Sequence, residues 1–156
     1  MAFVRPATDA DIPDLARLLV QVAAVHHGIR PDLFKPDARK YTDAELEQIL
    51  LDAAKPVFVC EEGSKVLGYA FCVLETHEGN GALTDIRTLY IDDLCVDERA
   101  RGKGYGRRLF EYAKAYAREK GCYNLTLNVW TGNDGAQRFY ESMGMKPLKT
   151  GMETIL

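Results

Sequence analysis

The chain has 156 residues, of which 47% are hydrophobic and 28% charged, a size and composition typical of one globular domain rather than a fibrous or disordered protein. Its net charge of −3 gives no general reason to expect nucleic-acid binding, and no apolar run reaches the roughly 20 residues of a membrane span. Because no secretory signal precedes Phe3, we expect a cytoplasmic protein with no membrane partner.

The first half of the chain predicts a strand, two helices and a hairpin. Residues 3–5 favour a short strand, and a capping-box sequence at 8–11 precedes apolar residues at helical spacing that continue to Gly28. A second capping-box sequence predicts a helix over 42–54. Residues 57–74 have the pattern of a β-hairpin around a polar turn.

The second half predicts strands that alternate with helices. A strand over 86–96, a helix over 104–120, a strand over 125–129, a helix over 134–143 and a terminal strand from Lys146 to Ile155 follow one another. The whole order is β-α-α-β-β-β-α-β-α-β. It predicts one α/β domain over 1–156, with a mixed, mostly antiparallel sheet flanked by helices.

The cysteines and histidines give no metal or disulfide signal. Cys60, Cys72, Cys95 and Cys122 contain no CxxC pair, and each lies in an apolar stretch, which predicts buried thiols. The three histidines lie at helix and strand ends, so we expect no metal site.

A basic, glycine-rich segment joins the strand over 86–96 to the next helix. Residues 99–108 contain five arginines and lysines and no acid, with glycines at 102, 104 and 106. Glycine permits positive φ, and consecutive N–H groups at a helix start form a nest for an anion. The third glycine falls one residue too early for a dinucleotide fingerprint, and no Gly-Lys-Ser/Thr of a Walker loop follows. On spacing alone, a purely structural turn remains an alternative.

Two motifs resemble those of the Gcn5-related N-acetyltransferase (GNAT) superfamily. Arg101-Gly-Lys-Gly104-Tyr-Gly106 is similar to its Arg/Gln-x-x-Gly-x-Gly/Ala signature, and residues 133–144 resemble its Asn-x-x-Ala-x-x-Phe-Tyr-x-x-x-Gly signature. The resemblance covers nearly the whole chain and is greatest to uncharacterised bacterial members. It implies an acetyl-CoA-dependent N-acetyltransferase whose fourth and fifth strands splay apart to admit the pantetheine arm.

The resemblance also implies which residues contact the coenzyme. The backbone at 94–96 would pair with the pantetheine, the amides of 101–106 would hold the pyrophosphate, and Asn133 would bond the arm from the other side. The complete set is Leu94, Cys95, Val96, Arg101, Gly102, Lys103, Gly104, Tyr105, Gly106, Arg107, Asn133, Ala136, Phe139 and Tyr140. Tyr140 matches the family tyrosine that protonates the coenzyme sulfur, although its spacing also suits a core aromatic.

The general base is expected among the acids of the strand over 86–96. Asp92 is our first candidate, since 89–93 resembles a stretch of polyamine acetyltransferases with an acid at this position. Asp93 is second and Glu75 third, because neighbouring strand residues point to opposite faces and one aspartate should face the acceptor. These acids could instead only attract a cationic amine. A covalent path through Cys95 is disfavoured, because the superfamily mostly transfers directly in a ternary complex.

The acceptor wall is expected between the first two helices, at 26–41. It would be formed by His27, Arg30, Phe34 and Tyr41, with Glu75 from a strand. The mixed charges leave polyamine, aminoglycoside, amino-acid and protein amines open. A coenzyme A-binding sensor without turnover and a purely structural protein are the alternatives to an enzyme. The apolar terminal segment indicates a possible homodimer.

Overall fold

Five strands form one sheet in the order β1-β2-β3-β4-β5, in a computed structural model that describes residues 1–156. The first four strands pair antiparallel and β5 pairs parallel with β4, which confirms the predicted α/β class and the mixed sheet. The elements are β1 (Phe3–Pro6), α1 (Ile12–Ile29), α2 (Asp43–Leu51), β2 (Val57–Glu62), β3 (Lys65–Thr76), β4 (Arg87–Val96), α3 (Tyr105–Glu119), β5 (Asn124–Leu127) and α4 (Asp134–Ser142), with short 3-10 turns at Asp9–Asp11 and Glu98–Ala100. None of the helices is long and apolar enough to cross a bilayer.

Both predicted capping boxes form. Before α2, the Glu45 N–H donates to the Thr42 hydroxyl at 3.2 Å, and the Thr42 N–H donates to the Glu45 carboxylate at 3.1 Å. Before α1, the Thr8 N–H donates to the Asp11 carboxylate at 2.8 Å, which also accepts from the Arg5 guanidinium. These bonds satisfy N–H groups that a helix start leaves without a helical partner.

The core has one part on each face of the sheet. On one face α3 packs Leu109, Phe110 and Ala113 against strand residues such as Leu89 and Ile91. On the other face α1 and α2 pack leucines against Val57, Val59, Tyr69, Phe71 and Cys95. All four cysteines are free thiols, and three of them are buried in these two layers. The sheet therefore separates an α3 side from an α1–α2 side.

A β-bulge in β4 changes the direction of the two predicted acids. Phe71 pairs with Asp93 but Cys72 pairs with Ile91, so Asp92 is an extra residue in β4. Asp92 contacts Tyr41 and Asp93 contacts Tyr69, so both carboxylates lie on the α1–α2 side. The expectation from simple alternation, that the two aspartates point to opposite faces, is wrong because a bulge shifts the alternation by one residue.

The sheet forks where β5 ends. β5 pairs only with the four residues Thr88 to Ile91 of β4, so the rest of β4 has no strand on that side, as the predicted splay requires. The Asp97 N–H donates to the Leu67 carbonyl in β3 at 2.8 Å. Because N–H groups alternate along an extended strand, those of Leu94 and Val96 point away from β3 into the fork.

The predicted terminal strand from Lys146 to Ile155 is wrong. Residues 146–156 make no backbone hydrogen bond to any strand, and Leu148, Met152 and Ile155 are exposed. The segment is apolar enough for a strand, but a strand requires a partner edge and none is paired with it here. The segment is anchored through Glu153, which accepts a hydrogen bond from Arg30. The homodimer inferred from it remains a prediction.

Candidate active site

The glycine-rich loop presents a row of free backbone N–H groups. None of the seven N–H groups of residues 101–107 donates to an acceptor within the chain, and the first helical bond of α3 runs from the Arg108 N to the Gly104 O at 3.1 Å. Gly102 and Gly104 have positive φ values of 80° and 85°, which turn the chain into this row. Consecutive free N–H groups at a helix start are a suitable arrangement for binding an anion, and the anion site expected from the sequence remains a prediction.

Formal positive charge surrounds the same loop. Arg101, Lys103, Arg107 and Arg108 are exposed, and none forms an ion pair with a carboxylate of the chain. The Arg101 Nε donates to the Val96 carbonyl at 3.5 Å, which holds its side chain beside the fork. These cations have room to bind the oxygens of a pyrophosphate.

Buried contacts with β2 and α1 hold the glycine-rich loop in place. The Tyr105 ring is buried and its hydroxyl donates to Glu62, so only the backbone of this predicted coenzyme residue is available to a ligand. The buried Asp97 carboxylate accepts from the Arg99 N–H at 3.0 Å and from Arg17 of α1. These contacts connect the loop to β2 and α1, so its amides are held in place before a ligand arrives.

The start of α4 lies beside the loop. A Cβ on Gly106 would lie 3.4 Å from Phe139 Cζ and 3.6 Å from Val96 Cγ2, so α4 packs closely against the loop at this residue. Asn133 caps α4, because its Oδ1 accepts from the Ala136 N–H at 3.2 Å. Its side-chain amide N–H groups have no acceptor in the chain and remain free for a ligand.

Tyr140 is mostly buried, yet its hydroxyl has no hydrogen-bond partner in the chain. Its ring packs against Phe139 at 5.0 Å and Phe110 at 6.1 Å between centroids. Burial, with the nearby Asp93 and Cys95, raises its pKa well above the ordinary value. The phenol therefore keeps its proton and has it available for donation.

Asp92 and Asp93 have different surroundings. Burial raises the pKa of Asp93 to about 6, although a hydrogen bond from the Tyr69 hydroxyl at 2.7 Å opposes the shift. Asp92 accepts from the Lys40 Nζ at 2.7 Å and from the Tyr41 hydroxyl at 2.9 Å, both at Oδ2. Asp93 is thus poised to exchange a proton near neutral pH, whereas Asp92 is held as the partner of a lysine.

Cys95 lacks the surroundings of a nucleophile. Its side chain is buried on the α1–α2 side, where Sγ lies 3.8 Å from the Leu18 carbonyl. Burial raises its pKa to about 12, so the group is a neutral thiol at any working pH.

The predicted acceptor residues fall into two groups. Tyr41 lies directly beside Asp92, whereas Phe34 packs edge-on against Trp130 at 5.3 Å and its carbonyl contacts His27 Nδ1 at 2.7 Å. Arg30 is paired with Asp32 and Glu153. The structure does not bring Glu75 to the site: it is exposed and pairs with Thr88, roughly 17 Å along β4 from Asp93.

Two residues near the acids were missed from the sequence. Lys40 precedes α2 in a loop with no periodic pattern, so nothing in the sequence connects it with Asp92. Tyr69 belongs to a predicted strand, and its contact with Asp93 depends on the bulge, which alters the register of β3 against β4. No group of three His, Cys, Asp or Glu side chains lies close enough to hold a metal ion.

A forked sheet, free amides at the start of the next helix and a protonated tyrosine near a buried acid are features that suit an acyl donor with a pyrophosphate. Residues 22–145 match the Acetyltransferase (GNAT) family, and the chain belongs to this family of acetyl-CoA-dependent N-acetyltransferases. This match confirms the resemblance seen in the two motifs.

Relatives agree with this assignment. A variant of the BH1408 protein from Bacillus halodurans is 32% identical, with a TM-score of 0.93 over 99% of both chains. The thialysine N-epsilon-acetyltransferase of Bos taurus is 26% identical over 95% of this chain and 87% of its own. The glucosamine-6-phosphate N-acetyltransferase of Arabidopsis thaliana has a TM-score of 0.74 at 22% identity over 99% of this chain and 98% of its own, which shows a common fold.

Proposed function

We propose that the protein transfers the acetyl group of acetyl-CoA to a primary amine by direct attack in a ternary complex. The observation that carries the proposal is the continuity of free amides, from Leu94 and Val96 in the fork to residues 101–107 in the loop. The bovine relative is named for thialysine and the Arabidopsis one for glucosamine 6-phosphate. Both names support a small-molecule amine as acceptor, and a protein amine is the other candidate.

The chain's free polar groups fit acetyl-CoA, which supplies an activated thioester. The amides of 101–107 and their cations suit its pyrophosphate, and the free N–H groups of β4 suit the amide groups of its pantetheine arm. Asn133 would offer its free side-chain amide to the arm from the start of α4. The Leu94 N–H is better placed than the Cys95 N–H to donate to the oxyanion that forms on the acetyl group, because the Cys95 N–H is directed to β3.

Proton transfer to Asp93 would prepare the acceptor. An alkyl ammonium has a pKa of about 10, so the amine must lose a proton before or during attack. The pKa of Asp93, about 6, leaves it ionised at neutral pH and able to take that proton, directly or through a water. Asp92, paired with Lys40, is better suited to attract the amine than to deprotonate it. This reverses the order predicted from the sequence.

Tyr140 would complete the reaction. As the acceptor nitrogen bonds to the acetyl carbon, the carbon–sulfur bond breaks and its electron pair leaves on sulfur. The Tyr140 proton neutralises the thiolate, and the second proton that the nitrogen loses as the amide forms restores the Tyr140 phenol. The proton held by Asp93 is released to solvent.

A thiol-release assay with acetyl-CoA and a panel of amines tests the proposal. We expect turnover with at least one small primary amine and a fall in kcat of about 100-fold in Tyr140→Phe, as for loss of a general acid. Tyr123→Phe is the matched control, since Tyr123 is 76% exposed and far from the acids in β4. Binding of coenzyme A without turnover on any amine would favour a sensor instead.

The expected compartment and assembly are also proposals. Free cysteines suit a reducing compartment, which supports the cytoplasm. The exposed apolar tail supports a homodimer, and sedimentation of the full chain against a chain ending at Met145 would test it.

A further inference from the structure

A small cavity opens on the α1–α2 side of the sheet, next to the bulge. It holds about 170 Å³, well below the 300 Å³ or more of a pocket for a drug-sized ligand. Most of its wall is apolar and comes from Tyr41, Ile49, Phe71 and Val73. Its dimensions and lining suit a short aliphatic chain.

Two opposite charges line the same cavity. Asp92 is one, and both of its protein partners bond to Oδ2, which leaves Oδ1 without a partner in the chain. Lys55 is the other, and its ammonium forms no ion pair or hydrogen bond in the chain. An apolar cavity with one free carboxylate oxygen and one unpaired ammonium matches a ligand with a cation and an anion joined by methylene groups.

The position of Lys55 follows from backbone pairing. The Cys72 N–H donates to the Pro56 carbonyl at 2.9 Å, and the Leu74 N–H donates to the Ala54 carbonyl at 2.7 Å. The segment between α2 and β2 is therefore held along β3, and Lys55 lies between its two anchored residues. This lysine is fixed at its backbone while its long side chain remains free to reach an anion.

Lys40 is less suited than Lys55 to bind the anionic end of a ligand. Its ammonium lies 2.7 Å from Asp92 Oδ2, so its charge is already compensated. An anion bound there would compete with Asp92, whereas one bound to Lys55 would compete with no carboxylate of the chain.

We propose that this cavity is the acceptor site, and that it selects small amines bearing a carboxylate at the far end of an aliphatic chain. The amine lies at Asp92 Oδ1, one residue from Asp93 in β4, the methylenes contact Tyr41 and Phe71, and the carboxylate pairs with Lys55. The inference rests on the proposed acetyltransferase function and names its substrate class.

Three six-carbon acceptors that differ only at the far end test the selection. They are 6-aminohexanoate, hexylamine and 1,6-diaminohexane, with kcat/KM measured by thiol release from acetyl-CoA. For wild type we expect 6-aminohexanoate to be the best. Lys55→Met should lower its kcat/KM about fivefold, in the range of an exposed ion pair, and change that of hexylamine clearly less. Lys55→Glu should reverse the preference in favour of 1,6-diaminohexane.

Lys65→Glu is the matched control for charge reversal. Lys65 is exposed, forms no ion pair, and begins β3 roughly 25 Å from Val73. Equal losses for all three acceptors in Lys55→Met, or no preference in wild type, would overturn the inference. Turnover only with amines outside this class would overturn it while the acetyltransferase function stands. No turnover with any amine would instead reject the function on which it rests.

Discussion

Asp92 and Asp93 are adjacent in the chain, and the bulge gives them different partners on the same side of the sheet. Lys40 and Tyr41 hold Asp92, whereas Asp93 has the Tyr69 hydroxyl and a largely buried environment. Asp92 forms an ion pair with Lys40, whereas burial disfavours the ionised form of Asp93. Asp92 can therefore attract the amine while Asp93 removes its proton.

This division predicts a pH dependence. If Asp93 is the base, kcat should rise with pH through about 6, because only the ionised carboxylate accepts a proton. Asp93→Asn should lower kcat by about 100-fold and abolish this limb. Thiol release measured at saturating acceptor from pH 5 to pH 9 checks it. A limb that persists in Asp93→Asn would assign the base to another group.

The turn between β4 and α3 requires glycine because of its backbone conformation, and not because a side chain would lack space there. Gly104 has a φ of 85°, and a Cβ added to it would meet no atom within 4 Å. Glycine is needed there because other residues adopt this conformation at a cost of about 1–2 kcal/mol.

Gly104→Ala should therefore weaken the binding of acetyl-CoA, although the added methyl group contacts no other atom. We expect the KM for acetyl-CoA to rise about five- to thirtyfold, since the row of amides loses its alignment, with a smaller change in kcat. Gly81→Ala is the control, because Gly81 has open space and no positive φ. Equal effects of both substitutions on KM would contradict this role of the turn.

Local sequence patterns predicted most of the helices and strands, whereas features that depend on the pairing of strands were missed. The capping boxes and the glycines of the loop act through neighbours in sequence, so their signals are visible in the chain. The bulge at Asp92 depends on the register of β3 against β4, and the segment 146–156 has strand-like residues but no partner strand. Lys40 contacts Asp92 and Lys55 lines the same cavity as Asp92 only through folding, because their own segments carry no motif.

The proposed base also affects the stability of the whole protein. The pKa of Asp93 is about 6 when folded, against about 3.9 for an unperturbed aspartate. The folded state thus favours the protonated form, so this contribution to stability is fully present below about pH 4 and is lost as pH rises through 6.

Asp93→Asn should remove this dependence, because an amide carries no charge to bury. Relative to wild type, the free energy of unfolding of the variant should increase by about 2 kcal/mol between pH 4.5 and pH 8. Urea denaturation of both proteins at the two pH values measures the difference, and the other carboxyl groups cancel in the comparison. A constant difference would mean that Asp93 has an ordinary pKa.

The fork between β4 and β5 leaves part of the β4 edge without a partner strand, and an extended substrate can pair with that edge. Unpaired strand edges invite association with other chains, and proteins usually cover or shorten them. Here the free edge at Leu94 and Val96 begins where β5 ends, so it is a recess beside another strand rather than an outer border. A thin extended molecule fits such a recess, whereas a second sheet does not. Each catalytic cycle would then add and remove one temporary strand, and the protein would accept its substrate through the same bonds that hold its own fold together.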